Sequence, residues 1–402
     1  MTGGPFDKAP ARILQCTGVM KSFVPVLVLL LLGPACPAAD ARAGPLLGRI
    51  RAVRHEGAGN PDAAKAWREL VRLGPGALLD VLAAIGDADA VSANWLRPAV
   101  DAIAEREVNA GRALPAKALE AFVADTKNSG AARRLAYDWL ARVDKTAPDR
   151  LLPGMLNDPG QELRRDAIDF ALGKARARKA KGGKAAAVKA FKELLAAARD
   201  QDQVDVLAKE LNELGVAVDL QKQFNFIGTW LLVGPFDSTK GSGFNKAYPP
   251  EQGVDVRADY QGKNGPVRWT AHATADPYGT VDLNKALGKN MGAVAYAFAE
   301  VDSPADQPVE LRAGTNNAVK IFLNGKQVFS RDEYHHGMRM DQYIGAGTLK
   351  KGRNRILVKV CQDEETASFA QTWGFQLRVC DSLGGAVPLR IVQAQKQLRT
   401  QR

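Results

Sequence analysis

The stretch Val319-Lys320-Ile321-Phe322-Leu323-Asn324-Gly325-Lys326-Gln327-Val328-Phe329 places an Asn-Gly pair between two apolar-rich runs. Asn and Gly tolerate the positive φ that both central residues of a type I′ turn require, so the stretch predicts a two-residue β-hairpin. Followed by Leu349-Lys350-Lys351-Gly352-Arg353-Asn354-Arg355-Ile356-Leu357-Val358-Lys359-Val360, the hairpin points to an antiparallel β-sandwich.

On either side of it, residues 221–388 carry short alternating runs separated by Gly, Asn, Pro and Thr. These are residues 230–233, 267–270, 293–301, 309–312, 355–361 and 374–380. Regular short strands over this length suit a jelly roll of eight to ten strands, about ten at most. Residues 45–220 differ in kind, being rich in alanine, leucine and charge, with apolar residues at helical spacing. Asn60-Pro61 supplies an N-cap and a first-turn proline ahead of Ala64, Trp67, Leu70 and Val71, and Gly74-Pro75 stops that helix. Further helices are expected over 77–85, 95–108, 115–126, 131–143, 148–156, 161–177, 184–199 and 204–214, with the tryptophans at 67, 95 and 139 packing in the core.

The remaining segments concern location. Met20-Lys21, the apolar run over 23–32 and the small residues that follow it have the form of a secretory leader, too short for a membrane span. Residues 1–43 are therefore set apart, with Met20 favoured as the true start, and residues 389–402 are a C-terminal tail. Cys36 after Gly33-Pro34-Ala35 raises lipid anchoring as an alternative that the neighbouring proline fits poorly. The expected protein is exported, periplasmic or extracellular, with no transmembrane span in its mature form. Cys361 and Cys380 remain, expected as free thiols packed like small hydrophobes. The formal charge is +11. An exported chain meets anionic polysaccharide, phosphate or lipid rather than nucleic acid, which is not an expected partner. Much of the excess sits in Lys174, Arg176, Arg178, Lys179, Lys181 and Lys184, which read either as a solvated helix end or as a contact for an anionic surface.

Two resemblances add to this reading. Leu73 to Leu79, Leu151 to Leu156 and Asn157 to Ala167 resemble HEAT-type repeats, and helices expected near 75, 116, 147 and 184 bracket a helical-hairpin period. The series Trp230 to Asp237, Tyr248 to Glu251, Val267 to Trp269, the Asn324-Gly325 hairpin and Leu349 to Val360 is similar to galactose-binding-like jelly-roll modules of exported bacterial proteins. The fold these imply is a HEAT-like α-solenoid followed by an antiparallel jelly roll. The resemblance is specific for fold and weak for ligand, because its motifs are turn and core chemistry.

Candidate ligand residues cluster after the hairpin: Tyr334, His335, His336, Arg339, Asp341 and Tyr343, with Arg331, Asp332 and Glu333 beside them. Aromatic rings stack on apolar sugar faces, while charged groups bond hydroxyls. The same loop also reads as an exposed polar connection. No metal ligand set is expected, since adjacent His335 and His336 diverge and lack a spaced partner. No cofactor is expected either; a structural calcium stays open, although Asp237, Asp255, Asp276 and Asp282 are too scattered to nominate. No nucleophile elbow, phosphate loop or HExxH motif occurs, so no catalytic residue is nominated. The expected protein is a non-enzymatic binding or scaffolding protein with carbohydrate or an envelope protein as partner. Alternatives are an enzyme acting on polysaccharide, or its accessory subunit, and a purely structural domain of an envelope assembly.

Overall fold

Eleven helices occupy the first half of the computed structural model, which describes Met1, residues 41–392 and Ala394. They are α1 (Ala43–Arg51), α2 (Asn60–Leu70), α3 (Leu78–Gly86), α4 (Ala90–Asn109), α5 (Ala116–Ala124), α6 (Gly130–Val143), α7 (Ala147–Leu151), α8 (Gln161–Ala180), α9 (Lys184–Ala197), α10 (Gln201–Glu213) and α11 (Leu220–Phe224). Of the expected leader over 1–43, residues 2–40 with its apolar run and Cys36 lie outside the described residues, and so does most of the tail beyond 392. Among the described residues no helix is long and apolar enough to cross a membrane.

Neighbouring helices pack in pairs, α1 with α2, α3 with α4, α5 with α6 and α8 with α9, while α3 also meets α6 and α6 meets α8. The apolar faces of α1 to α7 and the start of α8 form one core through Leu78, Val100, Leu119, Leu140 and Leu163, with Trp139 buried there and Trp67 and Trp95 packed against it, while the rest of α8 with α9, α10 and α11 forms a second through Ile168, Phe191, Leu207 and Phe224. Asp89 and Ser129 cap α4 and α6 by accepting the backbone N–H of Ser92 and Ala132. The expected helix over 148–156 is instead α7 followed by a 3-10 turn at Leu152–Gly154. Pro153 lacks the N–H that a continuous helix would use there.

The second half is built from strands β1 (Thr229–Asp237), β2 (Asp259–Gly262), β3 (Gly265–Arg268), β4 (Thr270–Ala273), β5 (Val281–Asp282), β6 (Ala293–Ser303), β7 (Gln307–Thr315), β8 (Ala318–Leu323), β9 (Lys326–Arg331), β10 (Tyr343–Leu349), β11 (Gly352–Gln362), β12 (Gly374–Cys380) and β13 (Arg390–Ile391). Two short helices interrupt them, α12 (Pro249–Gln252) and α13 (Leu283–Leu287). A seven-stranded sheet runs β4-β1-β6-β11-β8-β9, with β13 also on β6, and a four-stranded sheet runs β10-β7-β12-β5. All these pairings are antiparallel. The two sheets share one core, in which Ala295, Ala297 and Ala299 of β6 leave room for Trp230, Trp373 and Phe375. Asn324 and Gly325 both have positive φ, 53° and 81°, and join β8 to β9 as the expected type I′ turn.

β11 is buried on both faces because the connection after β1 folds over the outer side of the seven-stranded sheet. Phe244, Tyr248 and Val256 cover Val233, Tyr296 and Phe298 there. Lys359, fully buried, holds that cover by donating to the Phe244 and Lys246 carbonyls at 3.0 and 2.8 Å and to Glu251 at 2.8 Å. β10 escaped the sequence reading because Gly345 and Gly347 gave it the look of a loop. Both glycines lie against the β8–β9 hairpin, where a Cβ would come within 3.1 Å of Phe329 and 2.7 Å of Leu323.

The halves meet around Phe224 and Phe226, whose rings flank the guanidinium of Arg378 on β12 at 5.9 Å each. The Ile227 N–H donates to the Leu377 carbonyl and the Val379 N–H to that of Asn225, so the linker is stitched to β12. The sequence change near residue 221 thus coincides with the change from helix to strand. Cys361 and Cys380 lie on β11 and β12, strands of different sheets, and are buried free thiols. Burial pushes their pKa values up to about 12 and about 11.

Candidate functional site

The expected ligand loop after β9 does not form one site. Arg331 pairs with Glu333, and His336 meets the other Glu333 oxygen at 3.2 Å. The Tyr334 ring packs beneath the seven-stranded sheet with its hydroxyl buried and unpartnered, and burial raises its pKa. Tyr343 starts β10 with its ring 5.2 Å from Phe329. Asp341 takes both Arg378 Nε at 2.7 Å and Arg312 Nη1 at 2.8 Å, tying the loop to β12 and β7. Asp341 thereby has its charge committed within the protein. Arg339 lies exposed on the helical side of the loop, and His335 on the opposite side.

His335 lies beside a polar cleft without lining it. Its Nε2 lies 2.7 Å from Asp363 Oδ2, its backbone N–H donates to the Asn316 carbonyl at 2.7 Å, and its ring meets Phe369 edge-on at 5.7 Å. The cleft, about 300 Å³, is floored by Val281, Trp373 and Gly374. It is walled by Thr280, Asp282 and Asn284 from β5 and α13, by Lys289, Asn316 and Met338, and by Ser368, Gln371 and Thr372 between β11 and β12. Asn316 Oδ1 is buried without a hydrogen-bond partner. Phe369, next to Ser368, is 70% exposed.

This wall is held rigidly. Asn317 donates to the Gln362 amide and to the Thr372 carbonyl at 3.1 Å, and accepts from the Gly374 N–H at 3.2 Å. Gln362 donates to the Ala370 carbonyl at 2.9 Å, and Asn284 to that of Gln371 at 2.8 Å. These buried amides fix the connection that carries Phe369, Gln371 and Thr372, so the cleft is largely formed before any ligand arrives. The signal for this site in the sequence was weak: it draws on four separate connections, and only Met338 among its lining residues belongs to the expected loop.

A second cleft, about 470 Å³, lies on the outer face of the seven-stranded sheet between Pro250–Val254 and the Asn324-Gly325 turn. Phe298, Leu357 and Phe322 form its floor as one registered row across β6, β11 and β8. They are 2%, 7% and 9% exposed, so the rings offer little stacking face, unlike Phe369.

The basic segment is partly neutralised. Lys174 pairs with Asp149 at 2.8 Å, Arg176 with Glu210 at 2.6 Å, and Lys179 with Glu210 and Glu213 at 2.8 Å each, while Arg178, Lys181 and Lys184 are exposed. The four scattered aspartates each cap a local turn. Asp237 accepts from Thr239, Asp255 from Arg257, Asp276 from Tyr278 and Thr280, and Asp282 from Lys285. Among the described residues no three His, Cys, Asp or Glu side chains converge as metal ligands would.

No protein-family model matches the chain, and no curated protein matches it. Solved structures share parts of it at low similarity. A β-glucosidase from Kluyveromyces marxianus in complex with glucose is 12% identical, with 42% of this chain and 17% of that chain covered and a TM-score of 0.24. A PA14 sugar-binding domain from an RTX adhesin is 15% identical, with 41% and 96% covered and a TM-score of 0.22. An anti-sigma factor domain-containing protein is 12% identical, with 31% and 40% covered and a TM-score of 0.23. Likenesses at this level carry no argument about what this chain does.

Proposed function

We propose that the chain is an exported, non-catalytic binding protein: a jelly-roll sandwich that holds carbohydrate in the His335-side cleft, and a HEAT-like helical array that serves as a second interaction surface. The observation that carries this reading is a cleft whose wall is mostly amide, hydroxyl and ammonium, with Phe369, an aromatic ring 70% exposed, in the chain segment between its wall residues Ser368 and Gln371. A pyranose has one apolar face and a rim of hydroxyls that both donate and accept. The ring suits the face, and Asn316, Gln371, Thr372 and Lys289 suit the rim. At about 300 Å³ the cleft lies at the small end of ligand pockets, which favours a single sugar unit or a chain end. Met338 is the residue of the expected loop that lines this cleft, His335 meets Phe369 beside it, and Arg339 and Asp341 line a different cleft. The leader-like segment over residues 20–43 supports the exported setting.

A glycan array probed with the full chain tests the reading. Binding to a defined set of glycans that Phe369→Ala abolishes without lowering the melting temperature is the expected result. A blank array sinks carbohydrate binding. Polysaccharide cleavage lost in Asp282→Asn overturns the non-catalytic assignment.

A further inference from the structure

Arg164 of α8, Arg199 after α9 and Arg339 of the loop line a third cleft, about 460 Å³, between the helices and the four-stranded sheet. Arg164 is 7% exposed, Arg199 half-buried and Arg339 exposed, so they run from base to mouth. Arg164 spends Nη1 on the Asp158 carbonyl at 2.8 Å, and Arg199 spends Nη1 on the Ala196 and Ala198 carbonyls at 2.6 and 2.9 Å. The Nε of each is buried without a partner.

The carboxylates nearby are already engaged by other arginines. Asp158 is held by Arg133, Asp200 and Asp202 by Arg165, and Asp341 by Arg312 and Arg378. Among the described residues, none lies within ion-pair distance of Arg164, Arg199 or Arg339. Burial pulls the pKa of Arg164 and Arg199 down, and each feels another arginine besides, Arg312 for Arg164 and Arg164 for Arg199. Asp200 and Asp158 offset part of this for Arg164, and Asp381 for Arg199, but none of them forms an ion pair with these arginines. Enclosing like charges without paired counter-charges is costly, and an anion between them lowers the cost. Asp200 adds a different group to the same cleft, since its Oδ2 is buried with no partner.

We propose that this cleft is an oxyanion site, in which Arg164, Arg199 and Arg339 clamp a phosphate or carboxylate group that carries a hydroxyl for Asp200. The guanidinium fork matches both anions in geometry. Hydrogen phosphate and a uronic acid share the chemistry, and they come from different sources. The site is separate from the His335-side cleft and stands or falls apart from it.

The test is calorimetric titration of the full chain with inorganic phosphate and, separately, with glucuronate, at fixed ionic strength against a sodium chloride control. One saturable site is expected for at least one of them. Preference for phosphate identifies a phosphate-bearing ligand, and preference for glucuronate an acidic sugar. Arg199→Gln and Arg339→Gln should each weaken binding about tenfold, the loss of one charge-assisted bond. Arg339 is exposed, so its variant keeps the test valid if the buried substitutions disturb folding. Absence of saturable heat from both ligands up to about 10 mM, well beyond a millimolar Kd, overturns the proposal. Affinity unchanged in both variants does so equally.

Discussion

Asp341→Asn isolates the charge that ties the loop after β9 to the sheet. Asn tolerates the positive φ of 57° at this position and keeps the side chain's shape, so the backbone is not the variable. The lost carboxylate accepts from Arg378 Nε at 2.7 Å and Nη2 at 2.5 Å, and from Arg312 Nη1 at 2.8 Å. Arg378 has no exposed surface; its other acceptor is the Gly384 carbonyl at 2.8 Å. An amide returns one acceptor and turns an NH₂ toward guanidinium donors. Removing one partner of a buried pair costs about 3–5 kcal/mol. In a folded unit of this size, that lowers the melting temperature by roughly 6–10 °C.

Differential scanning calorimetry from pH 3 to pH 8 reads both magnitude and sign. Burial raises the Asp341 pKa, but the hydrogen bonds and charge of Arg378 and then Arg312 outweigh it, leaving the carboxyl below the usual aspartate range. Its folded pKa is therefore below its unfolded one, so its contribution is present above about pH 4 and fades as pH falls through the folded value. The gap between wild type and Asp341→Asn should be constant from about pH 5 to 8 and close below about pH 4. Adding Arg378→Met, whose chain fits between Phe224 and Phe226, should recover part of the loss because the orphaned charge goes with it. A single variant melting within about 1 °C of wild type at pH 7, against the several degrees expected, refutes the reasoning, and so does strict additivity in the double variant.

In the helical half, Asp158→Ala strips Arg133 of a bidentate partner at 2.8 and 2.6 Å with both side chains at most 5% exposed, and should cost about 3–5 kcal/mol by urea unfolding. Glu107, whose carboxyl is held at about 2 by its bond to Arg112 and then by Arg106, stabilises the fold above its unfolded pKa. The stability difference between wild type and Glu107→Gln should thus hold through neutral pH and vanish as pH falls towards 2. Lys359→Met removes three hydrogen bonds, and hydrogen exchange should quicken across residues 244–251 while β11 itself stays protected. Gly325→Ala meets open space, so only its φ of 81° penalises it, and it should lower stability by about 1 kcal/mol in urea unfolding.

What the sequence made legible was whatever a local pattern encodes. The Asn324-Gly325 pair specified its turn outright, and alanine-rich periodicity located helices from α2 to α10, although α4 starts at Ala90 rather than 95 and the helix expected over 148–156 stops at Leu151. β10 was missed because its glycines answer to a neighbouring hairpin rather than to strand propensity. The loop at 331–343 was recognised as polar and aromatic, yet its side chains divide between two clefts and the core, which depends on partners at Arg312, Asp363 and Arg378 that no spacing reveals. Phe369 escaped notice for the same reason: an exposed phenylalanine and a buried one look alike in sequence.

Three buried cations share an arrangement that explains why such partners stay hidden. Arg133 of α6, Arg378 of β12 and Lys359 of β11 each sit on a regular element, and each reaches a carboxylate in a connection: Asp158, Asp341 and Glu251. Each spends its remaining donors on backbone carbonyls outside any ladder, that of Val123 in the last turn of α5 for Arg133, and those of irregular chain at Gly384 for Arg378 and at Phe244 with Lys246 for Lys359. A connection pressed against a core has carbonyls that no ladder satisfies and water cannot reach. A long cation from the adjacent helix or strand satisfies them, and the carboxylate balances the charge. In hydropathy such a residue reads as a polar position on a solvent face. Only the fold shows that a connection has been laid over it, and in this protein the device holds the segments that bring Glu251 and Asp341 to two of the clefts.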